Sequence, residues 1–170
     1  MEGNYDILVK ELCKLPKETG WVEFKHNNDD PKMIGEDVCA LANTATLKDH
    51  DFAYMIWGVD DTTHDIIGTS VRLVQLKKGQ EDIENWLRHQ LSRNANFEFL
   101  EAETDGKHIE IIRVHKVLHI PVAFEKTEYI RSGSYTKKLN DYPDVIGLDL
   151  KNHRPAVFQG LLKKLSKHIE

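Results

Sequence analysis

The chain has 170 residues, 40% of them hydrophobic and 30% charged, with a formal net charge of -5. That length falls within the range of about 100–200 residues for one domain, and no apolar run approaches the roughly 18 residues needed to cross a bilayer, which excludes a helical membrane span. The acidic balance excludes a protein that coats nucleic acid by bulk charge, because such binding rests on Lys and Arg displacing counterions from phosphates, so any nucleic-acid contact must be local.

At the start, Tyr5, Leu8, Leu12 and Leu15 recur at spacings of three and four, which predicts an amphipathic helix ended by Pro16. The same stretch has no basic start followed by an apolar run and a small-residue cleavage site, so a cytoplasmic protein is expected. After Gly20, WVEFKH alternates as a half-buried strand with Glu23 and Lys25 on one face and Val22 and Phe24 on the other. Asp30-Pro31 reads as a helix start, an N-cap carboxylate before a residue whose missing N–H costs nothing there. Ile34, Val38, Leu41 and Ala42 then mark one side of a helix expected to end near Asn43.

TATLKDHD follows as a polar loop, and FAYMIWGVDD as a strand apolar on both faces and therefore interior to a sheet, with a short strand at Ile66-Ile67. Residues 79–92 carry Ile83, Trp86, Leu87 and Leu91 on one helical stripe. Asp105-Gly106 joins FEFLEAET to KHIEIIRV as a hairpin, since both turn residues tolerate positive φ, and PVAFEK with EYIRSGS predicts a second hairpin. Phe158, Leu161, Leu162, Leu165 and Ile169 predict a last amphipathic helix behind Pro155. The expected fold class is α+β, a mixed and largely antiparallel sheet flanked by helices in a single domain over 1–170 with its core at about 18–142.

Two sets of residues could carry chemistry. Glu18, Glu23, Lys25 and Asp60-Asp61 stand near strand ends that could converge at one sheet edge. Carboxylate oxygens suit Mg²⁺ or Mn²⁺, and a metal can activate water and neutralise phosphate charge while a lysine steadies the nucleophile. Glu18 and Glu23 would share a ligand only if the chain bends at Thr19-Gly20, and charges alternating on a strand are otherwise an ordinary solvated face. The second set is Arg131, Ser134, Tyr135, Lys137 and Lys138, where small residues admit backbone N–H groups to phosphates, the cations supply charge and the tyrosine can stack on a base. The alternative there is a polar turn. It lies in the segment 107–138, whose seven basic and three acidic residues make the one clear basic bias.

Several other readings are less productive. No G-x-x-x-x-G-K-[ST] run exists, so phosphate cradling by a P-loop, and with it an ATPase, is not expected. His115 and His119 are four apart in a strand-like segment, where that spacing does not make one face for a metal. Trp21, Trp57 and Trp86 sit in apolar contexts that predict core packing, and Cys13 and Cys39 are too isolated for a disulfide framework or a thiolate metal site.

Four pieces in order, Glu18-x-x-x-x-Glu23-Phe24-Lys25, CALANT at 39–44, AYMIWGVDDTTHDIIGT at 53–69 and PVAFEKTEYIRSGSYTKKL at 121–139, resemble the AlbA-like DNA-binding domain shared with Schlafen proteins. The resemblance spans about 18–142. It implies an α+β domain at the N-terminus of bacterial transcriptional-regulator-like proteins, often followed by a winged-helix region and sometimes labelled a divergent AAA domain. In the Schlafen branch it implies an endoribonuclease acting on tRNA and rRNA with two glutamates and an aspartate as metal ligands, which would fall on Glu18, Glu23 and Asp61 with Lys25 beside them. One departure is the absence of the Gly-Gly turn that relatives carry after Asn43-Thr44; a charged stretch from Ala45 to Asp51 stands there instead. The leading expectation is a nucleic-acid (DNA or RNA) binding domain, with a Mg²⁺- or Mn²⁺-dependent endoribonuclease and a protein-interaction or homo-oligomerisation module as the alternatives.

Overall fold

A computed structural model describes residues 4–17, 19–118 and 120–142. Glu18, His119 and the helix expected over 158–169 lie outside the described residues. In chain order the elements are helix α1 (Asp6–Cys13), strand β1 (Val22–Lys25), helix α2 (Pro31–Lys48), β2 (Phe52–Trp57), a small hairpin of β3 (Lys77–Lys78) and β4 (Glu81–Asp82), α3 (Ile83–Gln90), the long hairpin β5 (Phe97–Thr104) and β6 (Lys107–His115), then β7 (Ala123–Phe124), β8 (Thr127–Ser132) and β9 (Tyr135–Lys138). The expected α+β class holds. Among the described residues no helix is long and apolar enough to cross a membrane.

The main sheet has the order β1-β2-β6-β5, with β1 parallel to β2 and the other pairs antiparallel. Because side chains alternate along a strand, this sheet splits the core in two. Ala53, Met55, Trp57, Ile112 and Val114 pack with α2 and α3 on one face. Tyr54, Ile56, Ile109 and Ile111 pack on the other with Val22 and Phe24 of β1 and with Val9 and Leu12 of α1. A strand such as β2, buried on both faces, reads as the unbroken apolar run seen at 52–57.

The second sheet, β7-β8-β9, lies against α2. Helix α2 starts where the sequence predicts, with the Asp30 carboxylate accepting from Met33 N at 2.9 Å and Pro31 in the first turn. It does not end near Asn43, however: it runs to Lys48, and the stretch expected to be a polar loop is its last turn. Burial explains the discrepancy. Thr46 is buried, and its hydroxyl donates to Val117 O at 2.8 Å and accepts from Val117 N at 3.0 Å. The helix closes at Asp49, which adopts φ 55, so an aspartate takes the left-handed position where glycine is the usual choice.

Helix α2 is therefore enclosed from both sides, by apolar contacts with the main sheet and by both apolar and polar contacts with the second. Gly35 makes one close approach possible, since a Cβ there would lie 2.1 Å from the ring of the fully buried Phe124. Asn43 carries the densest polar join: its amide donates to Val122 O at 3.0 Å and Tyr129 O at 2.8 Å, and accepts from Val122 N at 2.8 Å. Asn43→Ala would take the side-chain partner from Val122 N and Tyr129 O, while Val122 O keeps the Cys39 thiol at 3.1 Å, and each buried unpaired group costs about 1–3 kcal/mol. The expected loss is at least about 2 kcal/mol by urea denaturation; a loss near zero would show that the two sheets are not held together through this residue.

Candidate functional site

The period-two pattern of β1 decides where its charges go. With Val22 and Phe24 committed to the α1 side of the sheet, Glu23 and Lys25 face the α2 side, at the edge strand where β8 and β9 come in. There Lys25 Nζ lies 2.7 Å from Glu23 Oε1, and the Arg131 guanidinium donates from Nη2 to Glu23 Oε2. Asp37, on α2, completes the group: its carboxylate lies 3.7 Å from Arg131 Nη1 and 3.8 Å from Lys25 Nζ, and accepts from Thr136 Oγ1 at 2.5 Å. Thr136 accepts in turn from Arg131 Nη1 at 2.9 Å. Two carboxylates and two cations balance formally, with the Arg131 side chain only 3% exposed and that of Asp37 6%.

A cleft of about 430 Å³ runs along β1 and collects residues from both sets singled out in the sequence. Glu23, Lys25 and Asp61 line it together with Arg131, Ser134 and Tyr135. The candidate carboxylates and part of the basic hairpin are thus walls of one site. Its remaining boundary comes from the chain after α1 and from the loop after β2. That loop leaves the sheet at Gly58, whose φ of +106 and tight contact with Ile109 leave no room for a side chain.

Not every candidate reaches the cleft in the same role. Asp60 accepts from the backbone N–H groups of Thr62 at 2.9 Å and Thr63 at 2.8 Å, and those bonds hold its carboxyl below the usual range. It shapes the loop, while its neighbour Asp61 is exposed toward the cleft. The segment after Ile130 is not a bare polar turn but a hairpin, β8 to β9 across Gly133, with Arg131 opposite Thr136. Its alternation sets Thr136 inward against Asp37, and Tyr135 and Lys137 together on the outer face, where Lys137 Nζ stands 5.6 Å from the centre of the Tyr135 ring. Tyr135 is 67% exposed, and Lys138 is exposed beyond it. The rest of the basic segment is dispersed. Arg113 is paired with Glu98, Lys116 with Asp51 at 3.0 Å, and Lys107 donates to Ile66 O at 2.9 Å.

Two residues of the site escape a reading of the sequence. His64 lines the cleft from a left-handed backbone position (φ 61), its ring 4.7 Å from that of Phe24 and its Nδ1 3.2 Å from the Cys13 carbonyl oxygen. Nothing local marks it. Asp37 did leave a signal, because α2 carries buried residues around nearly its whole circumference. A carboxylate on such a helix must be paired.

The metal-ligand expectation meets a specific obstacle among the described residues. Both Glu23 oxygens already face cations, and no group of three His, Cys, Asp or Glu side chains there stands close enough to hold a metal ion. As arranged, a divalent cation could reach Glu23 only in place of Lys25 or Arg131, and Glu18, the other expected glutamate ligand, lies outside the described residues. Cys39 is inert in this setting, its thiol pushed up to about 12 by burial.

The chain is similar to known proteins over most of its length. A family described as Schlafen, AlbA_2 matches residues 18–140. The crystal structure of protein DIP2311 from Corynebacterium diphtheriae superposes with a TM-score of 0.54 at 16% identity, covering 82% of this chain and 27% of that one. This chain thus spans about a quarter of that protein, and the likeness is one of fold. The solution structure of the N-terminal domain of an ATP-dependent DNA helicase RecG-related protein from Nitrosomonas europaea matches with a TM-score of 0.41 at 22% identity, over 67% of this chain and 74% of that domain. No curated protein matches.

Proposed function

The chain belongs to the Schlafen, AlbA_2 family, and from that membership and the geometry of the cleft we propose that it is a nucleic-acid-binding domain whose contact face is the cleft along β1 and the outer face of the β8–β9 hairpin. The observation that carries the reading is the meeting of Lys25, Ser134 and Tyr135 in one concavity with Lys137 beside the exposed tyrosine ring. Tyr135 offers a flat apolar face on which an unpaired base can stack, a contact worth about 1–3 kcal/mol per base. Lys137 and Lys138 supply phosphate charge at the rim, and the Ser134 hydroxyl is a hydrogen-bond donor at the turn. Arg131 does not serve as a phosphate contact in this scheme; its guanidinium is turned inward and holds the wall of the cleft together.

A second reading, metal-dependent cleavage of bound RNA, is favoured by one feature: Glu23, Lys25 and Asp61 line the same cleft. It requires Glu23 to give up a cation partner. The test of both is incubation of the purified chain with labelled tRNA and with duplex DNA, with and without Mn²⁺, beside Glu23→Ala. Binding that weakens steeply with salt and leaves the nucleic acid intact is the expected result. Mn²⁺-dependent cleavage lost in Glu23→Ala would replace it with the nuclease reading, and absence of binding to either probe would overturn both.

A further inference from the structure

We infer that Asp37 and Thr136 are positioning residues for the proposed binding face, holding Tyr135 at the cleft without touching the ligand themselves. The inference rests on the reading just given and adds what fixes its central side chain in place. Tyr135 follows the turn of the hairpin, opposite Ser132, and is two-thirds exposed, with Lys137 Nζ 5.6 Å from its ring centre. Its neighbour Thr136 faces the opposite way and is anchored twice, donating to Asp37 Oδ1 at 2.5 Å and accepting from Arg131 Nη1 at 2.9 Å. Asp37 belongs to α2, the most enclosed helix among the described residues, whereas Arg131 and Thr136 are paired across β8 and β9. The backbone of Arg131 is tied to the same helix through Thr44 Oγ1 at 3.0 Å.

Arg131 has little freedom to find other acceptors. Its Nε is buried with no partner among the described residues, so the guanidinium is oriented by Glu23, Asp37 and Thr136. Removing the Thr136 hydroxyl therefore cuts the side-chain tie between β9 and α2 one residue from Tyr135, while leaving the β8–β9 pairing and the cleft's charges unchanged. A ring held in place before binding costs less entropy to engage than one that must be ordered on contact.

The test is a double-mutant cycle read by fluorescence anisotropy with a labelled single-stranded RNA oligonucleotide, using Thr136→Val, Tyr135→Ala, both together, and Thr136→Ser as the conservative control. Valine keeps the shape of threonine and removes the hydroxyl. The expected result is a Kd raised about five- to tenfold in Thr136→Val, the scale of one hydrogen bond, restored in Thr136→Ser and absent when Tyr135 is already alanine. Asp37→Asn, which removes the charge but keeps an acceptor for Thr136, should weaken binding by less than Thr136→Val. A Thr136→Val loss of the same size in both Tyr135 backgrounds would mark a merely structural role and overturn the inference. So would a Tyr135→Ala variant that binds like the parent. Failure of the parent chain to bind any probe would instead overturn the functional reading on which the inference stands.

Discussion

Arg131→Met is expected to cost about 3–5 kcal/mol of stability, because removing one partner of a buried ionic group leaves its counter-charges in place without compensation. The guanidinium is almost fully enclosed, and Glu23 and Asp37 both face it. Without it Glu23 keeps Lys25 at 2.7 Å, while Asp37 keeps only the Thr136 hydroxyl and Lys25 at 3.8 Å. Two carboxylates would then share one cation. For a chain of this length the loss corresponds to a melting temperature lower by roughly 10 °C. The triple variant Glu23→Gln, Asp37→Asn, Arg131→Met should recover much of the deficit, since it removes both uncompensated carboxylates with the guanidinium and leaves charged only Lys25, the most exposed of the four. Thermal unfolding of the parent, single and triple variants decides the matter. If the triple variant is as unstable as the single one, the deficit comes from lost packing of the arginine stem, and the charge network is not what holds β8 to β1 and α2.

How much of this arrangement can be read from the sequence depends on the range of the interactions involved. Strand β1 and its two faces follow from five consecutive residues, and the 105–106 turn follows from two, because alternation and positive φ are local properties. The end of α2 is not local in that sense. Thr44 and Thr46 look like loop residues until the backbone of Arg131 and of Val117 comes to meet their hydroxyls from more than 70 positions away. Strand β9 is hidden for a related reason: Lys137 and Lys138 carry no apolar signal, and only the inward Thr136, bonded to Asp37, gives the strand a buried side. Within the site, the residue types at Glu23, Lys25, Asp61 and Tyr135 were legible. Their partners were not, because pairing across β1, α2 and β8 is set by the assembled fold. Arg131 illustrates the difference, being a cation whose residue type suggests a phosphate contact and whose burial shows an internal tie.

Reversal of charge at the hairpin rim is expected to have the largest effect on binding. Lys137 and Tyr135 occupy alternate positions on one face of β9, with the ammonium 5.6 Å from the ring centre, whereas Lys138 shares the register face of Thr136. A base stacked on Tyr135 would bring its own phosphate toward Lys137 first. Lys137→Glu should therefore weaken binding more than Lys138→Glu, and the double variant should lose about 100-fold near physiological salt, through two lost phosphate contacts and two new repulsions. The slope of log K against log salt should become shallower by about 0.7 for each lost contact on a single strand. Stability should be nearly unchanged, since both side chains are exposed. Tyr135→Ala, by contrast, should lower affinity without altering that slope, because stacking releases no counterions. Titrations at several salt concentrations separate the two contributions. Unchanged affinity and slope in the double lysine variant would place the nucleic-acid contact elsewhere on the chain, and equal losses from Lys137→Glu and Lys138→Glu would show that the rim acts as a diffuse charge with no alignment to the tyrosine.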